Sequence, residues 1–275
     1  MRNAVQPILA REGITEWAIL PISAVRVLRP ELFLRAGDFS PKSLLIFLVP
    51  YYVGPTENLS LYAAARDYHR YMRDLSARLG EAIGRAYPEA ATRGFSDHSP
   101  IDERYAAATA GLGMLGDNGL LINPTYGSFV FIGALFSDLE PDGEAQGSVH
   151  SIVSCEHCGA CLRACPTGAL AGEGDCLSEL TQRRGELAPE AALLMRKHHT
   201  VWGCDLCQTA CPHNRRVMDA GRVTPIGYFH EDRITHLDSE MLAAMPRSEF
   251  ESRAFAWRGR QTLARNLAAY EGGQD

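Results

Sequence analysis

Residues 155–166 read CEHCGACLRACP, and residues 204–212 read CDLCQTACP, with Cys176 standing between them. All 8 cysteines of the chain lie in this interval. The first run has the form C-x2-C-x2-C-x3-C-P, the spacing by which bacterial ferredoxins hold cubane iron–sulfur clusters. Three thiolates at short intervals wrap one cubane corner by corner, and the fourth, a helical turn further on, points to a neighbouring cluster. On that logic Cys155, Cys158, Cys161 and Cys211 hold one 4Fe-4S cluster, and Cys165, Cys176, Cys204 and Cys207 hold a second. Pro166 and Pro212 end each loop. Structural zinc is the competing reading, because CxxC pairs also make tetrahedral zinc sites. It leaves the third cysteine and the trailing Cys-Pro of each half without a purpose. Disulfides would require an oxidising compartment. The N-terminus shows no basic segment followed by an apolar core, so no export signal is visible and a cytoplasmic protein is expected.

The composition suits a folded chain. Of 275 residues, 46% are hydrophobic and 22% charged, which is too apolar for disorder. The 27 Lys+Arg against 33 Asp+Glu leave a net charge of -6, which excludes a generally basic nucleic-acid binder. The best membrane candidate, Leu44–Val53, falls short of the roughly 20 apolar residues a span needs and is broken by Pro50.

Residues 1–150 read as one α+β domain. Leu44–Val49, Leu120–Ile122 and Phe129–Phe136 carry strand signals, and the turn formers of 123–127 predict a hairpin joining the last two. Tyr68, Tyr71, Met72, Leu75, Leu79 and Ile83 recur at helical steps within a helix expected from about Ser60 to Tyr87. Ser99, Pro100 and Asp102 resemble a helix cap, with Asp102, Glu103 and Arg104 as a solvated first turn. Residues 138–150 read as a linker, 151–220 as the cluster domain, and 221–275 as a helical tail packed on the core, with RGRQTLARNLAAY its clearest helix.

Little else in the chain announces chemistry. GLGMLG (111–116) matches G-x-G-x-x-G, but a helix precedes it where a dinucleotide site needs a strand. Its glycines are expected to let backbone approach something flat or bulky. Asp97 reads as a turn aspartate, and His69, His98, His198 and His199 as ordinary polar side chains. No HExxH, GxSxG or Walker loop is present. Composition and motifs alone define a redox protein of open substrate.

The ordered string SDHSPIDERYAAATAGLGMLGDNGLLINPTYGSFVFIGALFSDLE, followed by both cysteine motifs, resembles the epoxyqueuosine reductase family, relatives of the reductive dehalogenases. The resemblance implies a nitroreductase-like α+β domain that binds cobalamin, joined to a ferredoxin-like module with two 4Fe-4S clusters. It implies an oxidoreductase of queuosine biosynthesis that reduces an epoxide in tRNA, using an external low-potential electron donor and acting as a monomer. Asp97 falls on the family's proton donor. Cobalamin contacts carry over to Tyr62, Asp97, Leu121, Asn123, Ile132 and Ser178, and the glycine loop would then approach the corrin.

Departures are visible. His98-Ser99 stands where the family has Ser-Ala, and Asp117 stands where it has Lys. The family's HEAT-like helical domain is expected to be absent, which makes a smaller epoxyqueuosine-like substrate an alternative to tRNA. Arg183-Arg184, the 196–199 stretch and Arg215-Arg216 are candidate basic patches. Two other readings stay open: a reductive dehalogenase-like enzyme, and a cobalamin-free iron–sulfur electron-transfer protein.

Overall fold

The computed structural model describes residues 1–34, 39–141 and 149–272, which form two compact units. Most of the expected linker, 142–148, lies outside the described residues. One unit comprises Met1–Tyr51 and His69–His157, and the other Tyr52–Tyr68 and Cys158–Asp275. No helix among the described residues is long and apolar enough to cross a membrane.

The first unit contains helix α1 (Arg2–Arg11), strand β1 (Trp17–Pro21), the single turn α2 (Glu31–Leu34) and β2 (Ser43–Pro50). Then follow α3 (Tyr68–Ala86), β3 (Thr92–Phe95), α4 (Glu103–Thr109), β4 (Met114–Leu115), β5 (Leu121–Ile122) and β6 (Val130–Ser137). Four strands make an antiparallel sheet in the order β1-β2-β6-β3. Every residue of β2 is buried, which explains why it reads as an unbroken apolar run: both faces of the sheet are covered. The alanine face of α4 packs on one face, with Leu44, Ile46, Leu48, Ala134 and Phe136. Over the other lies α3, where a Cβ on Gly133 would meet the Phe47 ring at 2.3 Å and the Met72 methyl at 2.9 Å. Gly133→Ala is therefore expected to cost about 1–3 kcal/mol through overpacking, measured as a fall in the denaturation midpoint with unchanged m.

Three expectations are corrected. Helix α3 begins at Tyr68 rather than near Ser60. The backbone before it is committed elsewhere within the second unit: Ser60 N donates to Trp202 O, and Ala64 O accepts from Ile234 N. The β5–β6 hairpin does not form. β5 pairs with β4, while β6 pairs with β2 along its whole length and with β3 over Ala134–Ser137. The glycine loop serves that small hairpin, since a Cβ on Gly113 would stand 2.6 Å from Ile122 O. Last, α4 is capped by Asp102, whose side chain accepts from Tyr105 N at 3.1 Å. Ser99 and Pro100 precede the helix in extended chain, because Pro100 O accepts from both Leu28 N and Arg29 N and Ile101 bridges to Val27.

In the second unit the cysteine loops carry α5 (Ala160–Ala164), α6 (Leu177–Gln182), α7 (Pro189–Lys197), α8 (Leu206–Thr209) and α9 (Pro212–Asp219). The chain ends in α10 (Ser239–Ala244), α11 (Arg247–Phe250) and α12 (Arg260–Glu271). The last agrees with the helix expected over RGRQTLARNLAAY. Trp202 is fully buried among Leu59, Leu237, Phe255, Leu263 and Leu267. Buried Asn266 ties α12 to this core, donating to Thr181 O at 2.7 Å and Val201 O at 2.8 Å.

Candidate functional site

In the first unit the chain leaves β3 and turns sharply at Asp97, which holds φ 61. A left-handed non-glycine residue costs on the order of 1–3 kcal/mol, and such strain collects at functional sites. The turn presents a half-exposed carboxylate whose Oδ2 lies 3.1 Å from Nε2 of His69, at the start of α3. The next residue is fixed too: His98 Nδ1 lies 2.8 Å from Arg29 Nη1. A guanidinium only donates, so this ring nitrogen accepts and carries no proton.

Asp97 lines an open cavity of about 410 Å³ with Leu28, Arg29, Ile101, Glu103 and Ile132. One wall is the start of β6, where Val130, Phe131 and Ile132 are only half-buried, although the strand's later residues are fully covered. An uncovered apolar strand end with a carboxylate at its rim can receive a flat apolar group and deliver a proton to it.

The first turn of α4 differs from its expected solvated state. Only Arg104 is exposed, donating to Gly119 O at 2.5 Å. Glu103 has an Oε1 shielded from solvent with no hydrogen-bond partner. Burial pushes its carboxyl up to about 8, and the neighbouring Asp97 charge adds to the shift.

The remaining candidates occupy different settings. Leu121 is buried in the core of the first unit. Asn123 is 1% exposed, and its amide is fully engaged. It donates to Leu112 O at 2.7 Å and Glu16 Oε2 at 3.1 Å, and it accepts from Thr125 N and Tyr126 N. Tyr62 and Ser178 lie in the second unit. The Tyr62 hydroxyl accepts from Trp202 Nε1 at 3.0 Å, and Ser178 Oγ accepts from Gln182 Nε2 at 3.0 Å.

All eight cysteines are free thiols. Within the second unit the thiols of Cys165 and Cys176 are close enough to Cys204 to influence it. Cys207 feels Cys204, Cys176 and Cys161. Burial pushes Cys204 up to about 11 and Cys207 up to about 12, and the neighbouring thiols add to it. Burial acts the same way on Cys165, but the backbone amides around Leu170, Thr167 and Ala169 and the Thr167 hydroxyl outweigh it and draw the thiol below its ordinary value. Several partly buried sulfurs gathered near one another repel each other as thiolates. A multivalent cation removes the conflict, so the donor set fits a metal cluster.

Asp205, inside the second motif, escaped the sequence reading. Its half-buried carboxylate accepts from Ser60 Oγ and Leu61 N, each at 2.7 Å, and from Gln208 Nε2 at 3.2 Å. It fastens the 52–68 segment to the cysteine loop of the same unit. Asp205→Ala strands these donors and is expected to cost about 2–4 kcal/mol, read as a lower melting temperature and faster loss of iron.

Asp117 stands in the first unit with Cys155 and His157, their ligand atoms within 4.8 Å of one another, and its Oδ1 is 2.7 Å from His157 Nδ1. Of the basic stretches, Arg183 is already paired with Asp175 and Glu179, whereas Arg215 and Arg216 are exposed on α9.

A mixed sheet-and-helix unit with an acid at a cavity rim, joined in one chain to paired cysteine loops, defines an iron–sulfur redox protein. The model of the 4Fe-4S double cluster binding domain matches residues 154–214. The chain is related to the epoxyqueuosine reductases. It is 32% identical over 225 residues to the epoxyqueuosine reductase of Listeria monocytogenes, covering 74% of this chain and 55% of that protein. The fold matches the epoxyqueuosine reductase of Streptococcus thermophilus with a TM-score of 0.75 at 23% identity, over 98% of this chain and 80% of the other. A solved epoxyqueuosine reductase with an epoxyqueuosine-modified tRNA-Tyr stem loop gives a TM-score of 0.76 at 22% identity, with the same coverage. The chain thus spans a little over half the length of the curated relative it matches.

Proposed function

We propose that this chain reduces epoxyqueuosine to queuosine, with cobalamin and two 4Fe-4S clusters as cofactors and Asp97 as the proton donor. The observation that carries the reading is the strained Asp97 turn, which sets a carboxyl, paired with His69, at the rim of a cavity walled by the uncovered end of β6. The reaction removes the epoxide oxygen as water, consuming two electrons and two protons and leaving an alkene. When bound, the clusters and cobalamin supply low-potential electrons and a nucleophilic metal, in keeping with cluster potentials that reach about −400 mV and lower.

The chain's own residues do the rest. Cys155, Cys158, Cys161 and Cys211 hold one cluster, and Cys165, Cys176, Cys204 and Cys207 the other. Ile132 and Asp97 would meet cobalamin at the cavity, with Leu121 and Asn123 of the same unit as further contacts that family resemblance implies. The half-buried side chains of Val130, Phe131 and Ile132 suit the face of a macrocycle and keep water from it. Asp97 gives its proton to the departing oxygen, and His69 orients the carboxyl.

The substrate is an epoxyqueuosine-bearing tRNA stem loop, as in the solved relative, with α9 offering Arg215 and Arg216 to phosphate. The test is a titration of the iron-loaded chain with cob(II)alamin, followed by incubation with the modified stem loop and reductant. Corrin binding with queuosine formed supports the reading. Halide release from an aryl halide without queuosine makes the chain a dehalogenase, and reducible clusters without corrin binding make it an electron carrier.

A further inference from the structure

We propose that Glu103 is a second acid of this site, a proton-holding carboxyl that supplies the proton Asp97 gives away. The proposal deepens the reading of the reaction above and rests on it. Three observations from the first unit carry it.

Glu103 opens α4, one residue after the capping Asp102, and lines the same cavity as Asp97 and Ile132. A first-turn glutamate ordinarily sits in water, where the helix dipole favours its charge. Here the Oε1 atom is shielded from solvent and has no hydrogen-bond partner. An ionised carboxylate oxygen in that position would be costly, whereas a neutral carboxylic acid tolerates it.

The second observation is what surrounds the group. The backbone N–H of Asp97 and the Ser99 hydroxyl both address the Glu103 carboxyl. Glu103 thereby sits beside the turn in which Asp97 holds φ 61. Arg29 is the nearby cation, and it is shared with His98. From its own turn come Asp102 and Arg104, engaged with Tyr105 N and Gly119 O. The facing residues of β6, Val130, Phe131 and Ile132, carry no titratable group.

The third is the neighbouring charge. Two carboxyls in one partly buried place do not both ionise readily, and they titrate as a pair. Burial pushes Glu103 up to about 8, and Asp97 pushes in the same direction, against the weaker pull of Ser99 and Arg29. Near neutral pH the pair holds one proton, resting on Glu103. That proton passes from Glu103 to Asp97, half-exposed at the rim, and Asp97 delivers it to the leaving oxygen. Glu103 then regains one from solvent. No electron moves in this transfer, and one proton is carried per oxygen removed.

The sign of the pH effect follows. Above about 8 Glu103 ionises, the pair holds no reserve proton, and turnover falls as pH rises. Folding keeps Glu103 protonated above its ordinary range, so its contribution to stability is fullest below about 4.5 and is lost as pH rises toward 8.

The test uses the full iron-loaded chain, without and with cobalamin. Infrared titration of the cobalamin-free protein should show a protonated carboxylic acid band that disappears with a midpoint near 8, and Glu103→Gln should remove that band while retaining fold and iron. In the loaded enzyme Glu103→Gln should lower kcat by about tenfold or more with KM unchanged and abolish the fall in rate above pH 8. Glu103→Asp should restore part of the rate and of the pH dependence. Absence of the band from wild type, its persistence in Glu103→Gln, or a Glu103→Gln enzyme with the wild-type rate and pH profile would each overturn the proposal. Should wild type show the band yet form no queuosine, the reading of the reaction fails and the relay with it, while the band still establishes Glu103 as a neutral acid. The infrared result therefore tells the two failures apart.

Discussion

Asp97→Asn is expected to lower kcat for the proposed epoxyqueuosine reduction by about a hundred- to ten-thousand-fold, the range a well-placed general acid contributes. The amide matches the carboxylate in size and can still hydrogen-bond to His69, so shape at the cavity rim is preserved. What disappears is the transferable proton. The side chain is half-exposed and sits at a turn, so melting temperature and iron content stay at wild-type values. KM changes little, because the loss falls on the chemical step. His69→Gln should have a smaller effect, since it removes only the group that orients the carboxyl. Rapid-quench rates for the two variants beside wild type check the order Asp97 before His69.

The second large effect is on the cluster unit. Cys207→Ser removes a thiol that feels the charge of Cys204, Cys176 and Cys161. It should cut bound iron by about half and destabilise the unit that the cysteine loops build. Metal binding and folding are coupled in such loops, because a preformed site rarely exists in the unfolded chain, and structural zinc shows apparent binding free energies of about 10–16 kcal/mol. Losing even about 4 kcal/mol of comparable coupling lowers the melting temperature by roughly 10 °C in a unit of this size. Chelation of iron from the wild-type chain should reproduce the shift. A Cys207→Ser protein with full iron and an unchanged melting temperature would remove this thiol from the ligand set.

What could be read from the amino-acid string, and what could not, divides along the reach of each interaction. The cysteine motifs are legible because most of their ligands fall in two runs of a dozen residues or fewer. Strand β2 and helices α3 and α12 are legible because burial on both faces, or on one helical stripe, leaves a local apolar pattern. Strand β3 (TRGF) carries almost no such pattern, and it is a strand only because β6 offers it an edge. The hairpin partner of β5 was misread for a related reason: turn residues 123–127 signal a reversal but not which strand receives the returning chain. Residues 52–68 belong with the cluster unit through Asp205, Trp202 and Ile234, partners more than a hundred residues away. Asp97 is an ordinary turn aspartate on residue type alone, and it became a candidate only through family resemblance. Glu103 looked solvated because first-turn acids normally are. Its shielded oxygen belongs to a carboxyl that Asp97, Ser99 and the distant Arg29 surround, which no local rule encodes.

The most direct test of the account is a single turnover. The full chain, loaded with iron and cobalamin, is reduced chemically, freed of excess reductant, and mixed with an epoxyqueuosine-modified stem loop. Two one-electron clusters should support formation of up to one queuosine per chain, with the clusters oxidised in step. Stem loop that keeps its epoxide while both clusters remain reduced and the corrin remains bound would contradict it.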